Sequence, residues 1–167
     1  MNRIKSVLSY VLVIILALLI KNYIFSPIRV NGPSMNPTLL DGDIMILNEI
    51  GYYLNGVERF DIVVVKTEET RIIKRVIGLP GEHVEFKDNK LYINGEEIKE
   101  EFTHEVTHNF KLDELGYAVI PEGYYFVVGD NRGDSKDSRS IGLINKSQIK
   151  GKTKLILFPF SRFGNVF

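Results

Sequence analysis

The chain has 167 residues, 44% of them apolar, enough for one domain with a substantial core. It contains no cysteine, which excludes disulfide frameworks, thiolate nucleophiles and zinc–thiolate sites. Its 21 basic and 21 acidic residues cancel, so the net charge implies no nucleic acid or other polyanionic partner.

The charge is unevenly placed. Residues 1–40 hold Arg3, Lys5, Lys21 and Arg29 and no acid, and the remainder carries 17 basic against 21 acidic residues. That basic segment is also the most apolar, because residues 7–20, "VLSYVLVIILALLI", have no charge at all. A spanning helix needs ~20 residues, and residues 6–25 supply them if Lys21 snorkels to the interface. A cleaved leader is the competing reading, but "NYIFSPIRV" offers bulky residues where a small-x-small cleavage site is needed. The expectation is therefore a retained transmembrane anchor over residues 1–26 in contact with membrane lipid. Arg3 and Lys5 put its N-terminus in the cytoplasm and residues 27–167 outside.

Next comes "NGPSMNPTL", residues 31–39, which sets Ser34 among Gly32, Pro33 and Pro37. Such a serine is ordinary turn chemistry unless something else engages its hydroxyl. Beyond it the pattern is strands broken by turns. Asp41-Gly42 precedes "DIMIL"; "DIVVVKT" (61–67) is a continuous β-branched run, the mark of a strand buried on both faces or in a closed sheet; "RIIKRVIGL" (71–79) stops at Pro80-Gly81. Residues 83–98 alternate across Asp88-Asn89 and close at Asn94-Gly95, the mark of a hairpin. Residues 99–118 are charged and weakly patterned, an excursion of low order. "YYFVV" (124–128) and "KLILF" (154–158) are further strands. The fold expected is mainly β: an N-terminal transmembrane helix, then an all-β, partly closed body with a hairpin excursion at about 83–120 and no second helix.

Two stretches stand out chemically. In strand 71–79, Lys74 shares a face with Ile72 and Val76, while Arg75 shares the other with Ile73 and Ile77, so both cations have apolar company. Lys74 either snorkels at a sheet edge or is desolvated, and desolvation lowers an amine toward the 7–8 range useful to a general base. The loop "GDNRGDSKDSRSIG" (129–142) is either a solvated polar loop or part of a site. It is no calcium loop, since Arg132 stands where an oxygen ligand is required and no glutamate closes it. Ser135 could orient a lysine amine, and Asp137 and Arg139 could pair to hold the loop.

Together, an apolar N-terminal segment, "GPSMNPTL", "KRVIGLPGE" and "GDNRGDSKDSR", in that order over nearly the whole chain, resemble a type I signal peptidase, most closely the Gram-positive type. The resemblance implies a membrane-bound serine endopeptidase that removes N-terminal signal peptides from exported preproteins after small residues (Ala-x-Ala), with no metal and no cofactor. It implies Ser34 as nucleophile, Lys74 as general base, Ser135 hydrogen-bonded to that lysine, and Asp137 and Arg139 as structural support. Arg75, Gly78, Pro80, Gly81, Gly129, Asp130, Asn131 and Arg132 fall on scaffolding positions. Backbone donors for the oxyanion fall at Ser34 and Gly32, and Gly32 stands where some members carry a hydroxyl. The substrate would lie extended between residues 28–33 and 71–73, over a floor built from residues such as Ile28, Val30, Ile72 and Ile73. The three histidines lie outside these motifs, so a Ser-His-Asp site is poorly supported. A self-cleaving repressor would need a DNA-binding domain in place of the apolar segment. A catalytically silent membrane-bound binding protein would have no need to retain both Ser34 and Lys74.

Overall fold

The computed structural model of the chain describes residues 7–15, 25–102 and 104–166. Residues 7–15 form an exposed apolar helix, α1. Among the described residues no helix is long and apolar enough to cross a membrane, and most of the remaining expected span lies outside them. Phe25 already belongs to the first strand, so a span reaching residue 25 is too long by at least that residue.

That strand, β1 (Phe25–Arg29), is an edge strand, which is why it tolerates Pro27. β2 (Ile44–Asn48) pairs with it, and Asn48 then caps α2 (Glu49–Asn55) by accepting from the Gly51 N–H at 2.7 Å. This helix was not expected. Seven residues containing Gly51 and Asn55 are too few to show a helical period, and tertiary packing of Tyr52 holds them instead. β3 (Ile62–Lys66) and β4 (Arg71–Gly78) are the two β-branched runs and pair antiparallel, Val63 opposite Lys74.

The main sheet runs β1-β2-β11-β3-β4-β9-β10, with β9 at Tyr124–Val128, β10 at Ile144–Asn145 and β11 at Ile149–Phe158; β12 (Gly164–Asn165) adds to β11. A second sheet holds β5 (Val84–Lys87), β6 (Lys90–Ile93), β7 (Glu96–Ile98) and β8 (Phe110–Lys111). The expected hairpin is there, Val84 opposite Ile93 and Phe86 opposite Leu91, and Asp88 and Asn89 both take positive φ as a two-residue turn requires.

β4 is buried without a break from Ile73 to Gly78 because it meets three apolar clusters. Ile73 joins Val30, Met35, Leu39 and Met45; Val76 joins Val63, Val65 and Val127; Ile77 joins Phe86, Leu91 and Phe126. In a flat sheet β1 and β4, four positions apart, would be ~19 Å from each other. Residues of both line one cleft, so the sheet curls. Four successive antiparallel pairings leave β1 and β4 pointing the same way across that cleft.

Candidate active site

The cleft has a volume of about 520 Å³ and is lined by Ile28, Val30, Ile72 and Ile73, the four expected floor residues, with Met35, Ser34 and Lys74 among the others. β9 pairs with β4 only between Arg75 and Gly78, so Arg71–Lys74 present an open strand edge to it, and β1 presents another.

Ser34 and Lys74 are brought together. Lys74 Nζ donates to Ser34 Oγ at 2.6 Å and to the Ile73 carbonyl at 3.1 Å. The lysine is only 2% exposed. Burial pushes its amine down from 10.5 to about 8, against the pull of Asp137 and Asp130, while Arg139 adds to the fall. Of the two readings of this lysine, snorkelling is the one that its burial removes.

Ser34 is held from outside its own turn. The Asn131 N–H donates to the Ser34 carbonyl at 3.1 Å, and Asn131 Nδ2 donates to the Pro33 carbonyl at 3.3 Å. Gly129 lies so close that a Cβ there would overlap the Ser34 carbonyl oxygen and Ser135 Oγ. Thr38, at the end of the Ser34 turn, donates to Asp130 Oδ2 at 2.5 Å. Asp130 in turn accepts a two-pronged pair from Arg75, Nε at 2.8 Å and Nη2 at 2.6 Å, with the arginine 1% exposed.

Asp137 and Arg139 pair as expected, Nε to Oδ1 at 2.9 Å and Nη2 to Oδ2 at 2.8 Å. Asp137 also accepts the Gly129 N–H at 3.0 Å and caps α3 (Ser138–Ile141). Burial would raise the Asp137 carboxyl, but the Arg139 guanidinium, helped by Ser135 and the Gly129 N–H, holds it below its ordinary value.

Two expectations are corrected. The bond from Ser135 to Lys74 is not formed: Ser135 Oγ is buried and meets hydrogen-bond geometry with no described group, although it lies near enough to Asp137 to favour the carboxylate. Its side chain is turned against Gly129. Gly32 does not offer its amide to an oxyanion either, because that N–H donates to Asp41 Oδ1 at 2.8 Å. Asp41 thereby fixes the turn in which Gly32 takes φ +83°, a conformation suited to glycine. The Ser34 N–H donates to no group among the described residues.

The sequence assigns no site role to Thr38 or Asp41, and it reads residues 99–118 as an excursion of low order. Asp41 had a signal, the Asp-Gly turn. Residues 99–107 had none beyond Phe102, a lone aromatic in a charged run. Residues 99–102 and 104–107 lack regular structure but not order, since Glu100 binds Arg132 and Phe102 covers Arg75. His83 pairs with Asp113 at 3.0 Å on the second sheet, and no histidine bonds to Ser34 among the described residues.

A family model described as "Signal peptidase, peptidase S26" matches residues 3–158. The chain is 41% identical over 162 residues to signal peptidase I P of Bacillus subtilis subsp. natto, covering 92% of this chain and 87% of that protein. It is 37% identical over 176 residues to signal peptidase IB of Staphylococcus aureus N315, covering 96% and 92% respectively. The crystal structure of a signal peptidase I from Enterococcus faecalis V583 matches with a TM-score of 0.53 at 38% identity, over 57% of this chain and 95% of that one.

Proposed function

This chain belongs to the signal peptidase family, peptidase S26, and is a type I signal peptidase, a serine hydrolase; on that premise we propose that Ser34 and Lys74 form the dyad with which it cuts preproteins after Ala-x-Ala. The observation that carries this reading is the buried contact of 2.6 Å between Lys74 Nζ and Ser34 Oγ at the wall of an open-edged cleft.

Neutral Lys74 takes the Ser34 proton as Oγ attacks the scissile carbonyl, and the resulting ammonium gives that proton to the departing amine. The signal peptide is left esterified to Ser34. Water, deprotonated by the same lysine, then hydrolyses the ester and regenerates the hydroxyl. The Ser34 N–H, unengaged among the described residues, is the backbone donor for the oxyanion. Asp137 and Arg139 support the loop that faces the dyad.

The substrate adds as an extended strand between the open edges of β1 and β4. Side chains at −1 and −3 of the cut then face the same apolar floor, where Ile28, Val30, Ile72 and Ile73 leave room for a methyl group. The apolar run of residues 7–20 supports a single-pass anchor, N-terminus cytoplasmic, with the body outside where preproteins emerge. Incubating the purified full chain with a preprotein and reading the product's N-terminus by mass spectrometry tests the reading. One new N-terminus directly after Ala-x-Ala, absent with Ser34→Ala, is expected; a cut elsewhere would refute it.

A further inference from the structure

Residues 99–102 and 104–107 form no strand or helix, yet both buried arginines beside the dyad are finished by side chains from this one segment. Arg132 is wholly buried, and its partner Glu100 has a side chain only 5% exposed. Glu100 Oε1 accepts from Arg132 Nη2 at 2.5 Å, while Arg132 Nε donates to the Gly129 carbonyl at 3.0 Å and Nη1 to Thr107 Oγ1 at 2.9 Å. Gly129 is the residue pressed against the Ser34 carbonyl, and Asn131, two residues on, donates to that same carbonyl. A first path thus runs from Glu100 through Arg132 and Gly129 to Ser34.

A second path starts two residues later. The Phe102 ring lies under the Arg75 guanidinium, 3.9 Å from its centroid, and Arg75 holds Asp130, which receives the Thr38 hydroxyl at the far end of the Ser34 turn. The Glu105 N–H donates to the Asp130 carbonyl at 3.0 Å, so the segment is fastened to the catalytic loop by its backbone too. The two paths from one irregular stretch end on either side of the nucleophile, and they touch where Arg132 lies 5.9 Å from the Phe102 ring centroid. Neither touches the cleft walls at Ile28 and Ile72.

We propose that Glu100 and Phe102 are positioning residues that hold Ser34 within reach of Lys74. Without the Glu100 charge, Arg132 is a buried cation with only neutral partners, and it must move or admit water. Either response releases the Gly129 carbonyl, and Ser34 shifts relative to an amine now 2.6 Å from it. A displacement of ~1 Å at a reacting atom costs about 100-fold in rate. Substrate affinity, set by the cleft, is not affected.

The proposal rests on the dyad reading above, so its test has one arm without turnover. With the full chain in detergent, Glu100→Gln should lower kcat for preprotein cleavage by about 100-fold and Phe102→Leu by about 10-fold, with KM within twofold of the parent. Phe102→Tyr, which keeps the ring face, should stay within threefold. Ser34→Ala, without cleavage, assigns these changes to the dyad. Independently, hydrogen exchange at the Asn131 N–H should quicken at least about tenfold in Glu100→Gln relative to core amides such as Val64, whether or not the chain is active. A kcat within threefold of the parent in both Glu100→Gln and Phe102→Leu overturns the proposal. So does a rise in KM at constant kcat, or exchange that quickens equally at Asn131 and Val64.

Discussion

Lys74 keeps its Nζ 2.6 Å from the Ser34 hydroxyl with only 2% of the residue exposed, so burial penalises its charged form. With the amine at about 8, roughly one molecule in ten is neutral at pH 7. Cleavage should therefore rise with pH to a plateau above about 8, measured as kcat/KM from pH 6 to 10; an optimum near pH 5 contradicts this. The same shift affects stability. Between about 8 and 10.5 the unfolded chain binds a proton that the folded one lacks, so this group makes stability rise with pH. Below about 8 both states are protonated and the fold carries the full cost, about 3 kcal/mol by the size of the shift. Lys74→Met should thus be inactive yet more stable than the parent at pH 7 in urea titrations, by up to ~3 kcal/mol, with the gain fading toward pH 10.5. Equal or lower stability would show that the lysine bears no desolvation cost. Asp137 also makes stability rise with pH, but as a net stabilising group. Held low by Arg139, it adds stability above the ordinary carboxylate range and loses it only as pH falls through its own depressed value.

β4 carries two of these residues side by side, and alternation sends them to different partners, Lys74 to Ser34 and Arg75 to Asp130. Breaking the second pair takes the carboxylate from a buried cation that keeps the Phe60 carbonyl and the Phe102 ring. Asp130→Asn should cost about 3–5 kcal/mol in denaturant unfolding, whereas the Asp43–Arg162 pair, whose arginine is 29% exposed, should cost less when Arg162→Gln removes it. In the proposed reading the edges of β1 and β4 set the specificity. In a preprotein library varied at −3, −2 and −1, small residues should be selected at −3 and −1 and nearly anything at −2. Efficient cleavage with Leu or Phe at −1 would contradict the shallow floor. The β-branched runs, the Asp88-Asn89 hairpin and the unusual cations of β4 were legible in the sequence because strand periodicity and turn chemistry are local. α2 was not, being too short to show a period and held by Tyr52 packing. Glu100 and Phe102 were not, because an irregular segment has no period and its partners lie 32 and 27 residues away in the chain. Ser135 was legible as a member of the site, but a rotamer turned toward Gly129 cannot be read from spacing.

Across the whole molecule, the curl of the sheet joins the Ser34 turn near the N-terminus to a lysine 40 residues later and a supporting loop near residue 130. β1, one wall of the cleft, is the strand that follows the apolar segment in the chain, so the proposed anchor would lead directly into the substrate path. The full chain should sediment with membranes after an alkaline carbonate wash. In cells stripped of their wall, added protease should digest residues 28–167; full protection would reverse the topology. The dyad itself is tested most directly by single-turnover cleavage of one preprotein at pH 9 by the parent chain, Ser34→Ala, Lys74→Ala and the double variant. If nucleophile and base act as a unit, each single variant loses as much as the double, several orders of magnitude, while all four remain folded by circular dichroism. Cleavage by Ser34→Ala, or Lys74→Ala retaining a tenth or more of the parent rate, would show that the buried contact between these two residues is not the catalytic centre.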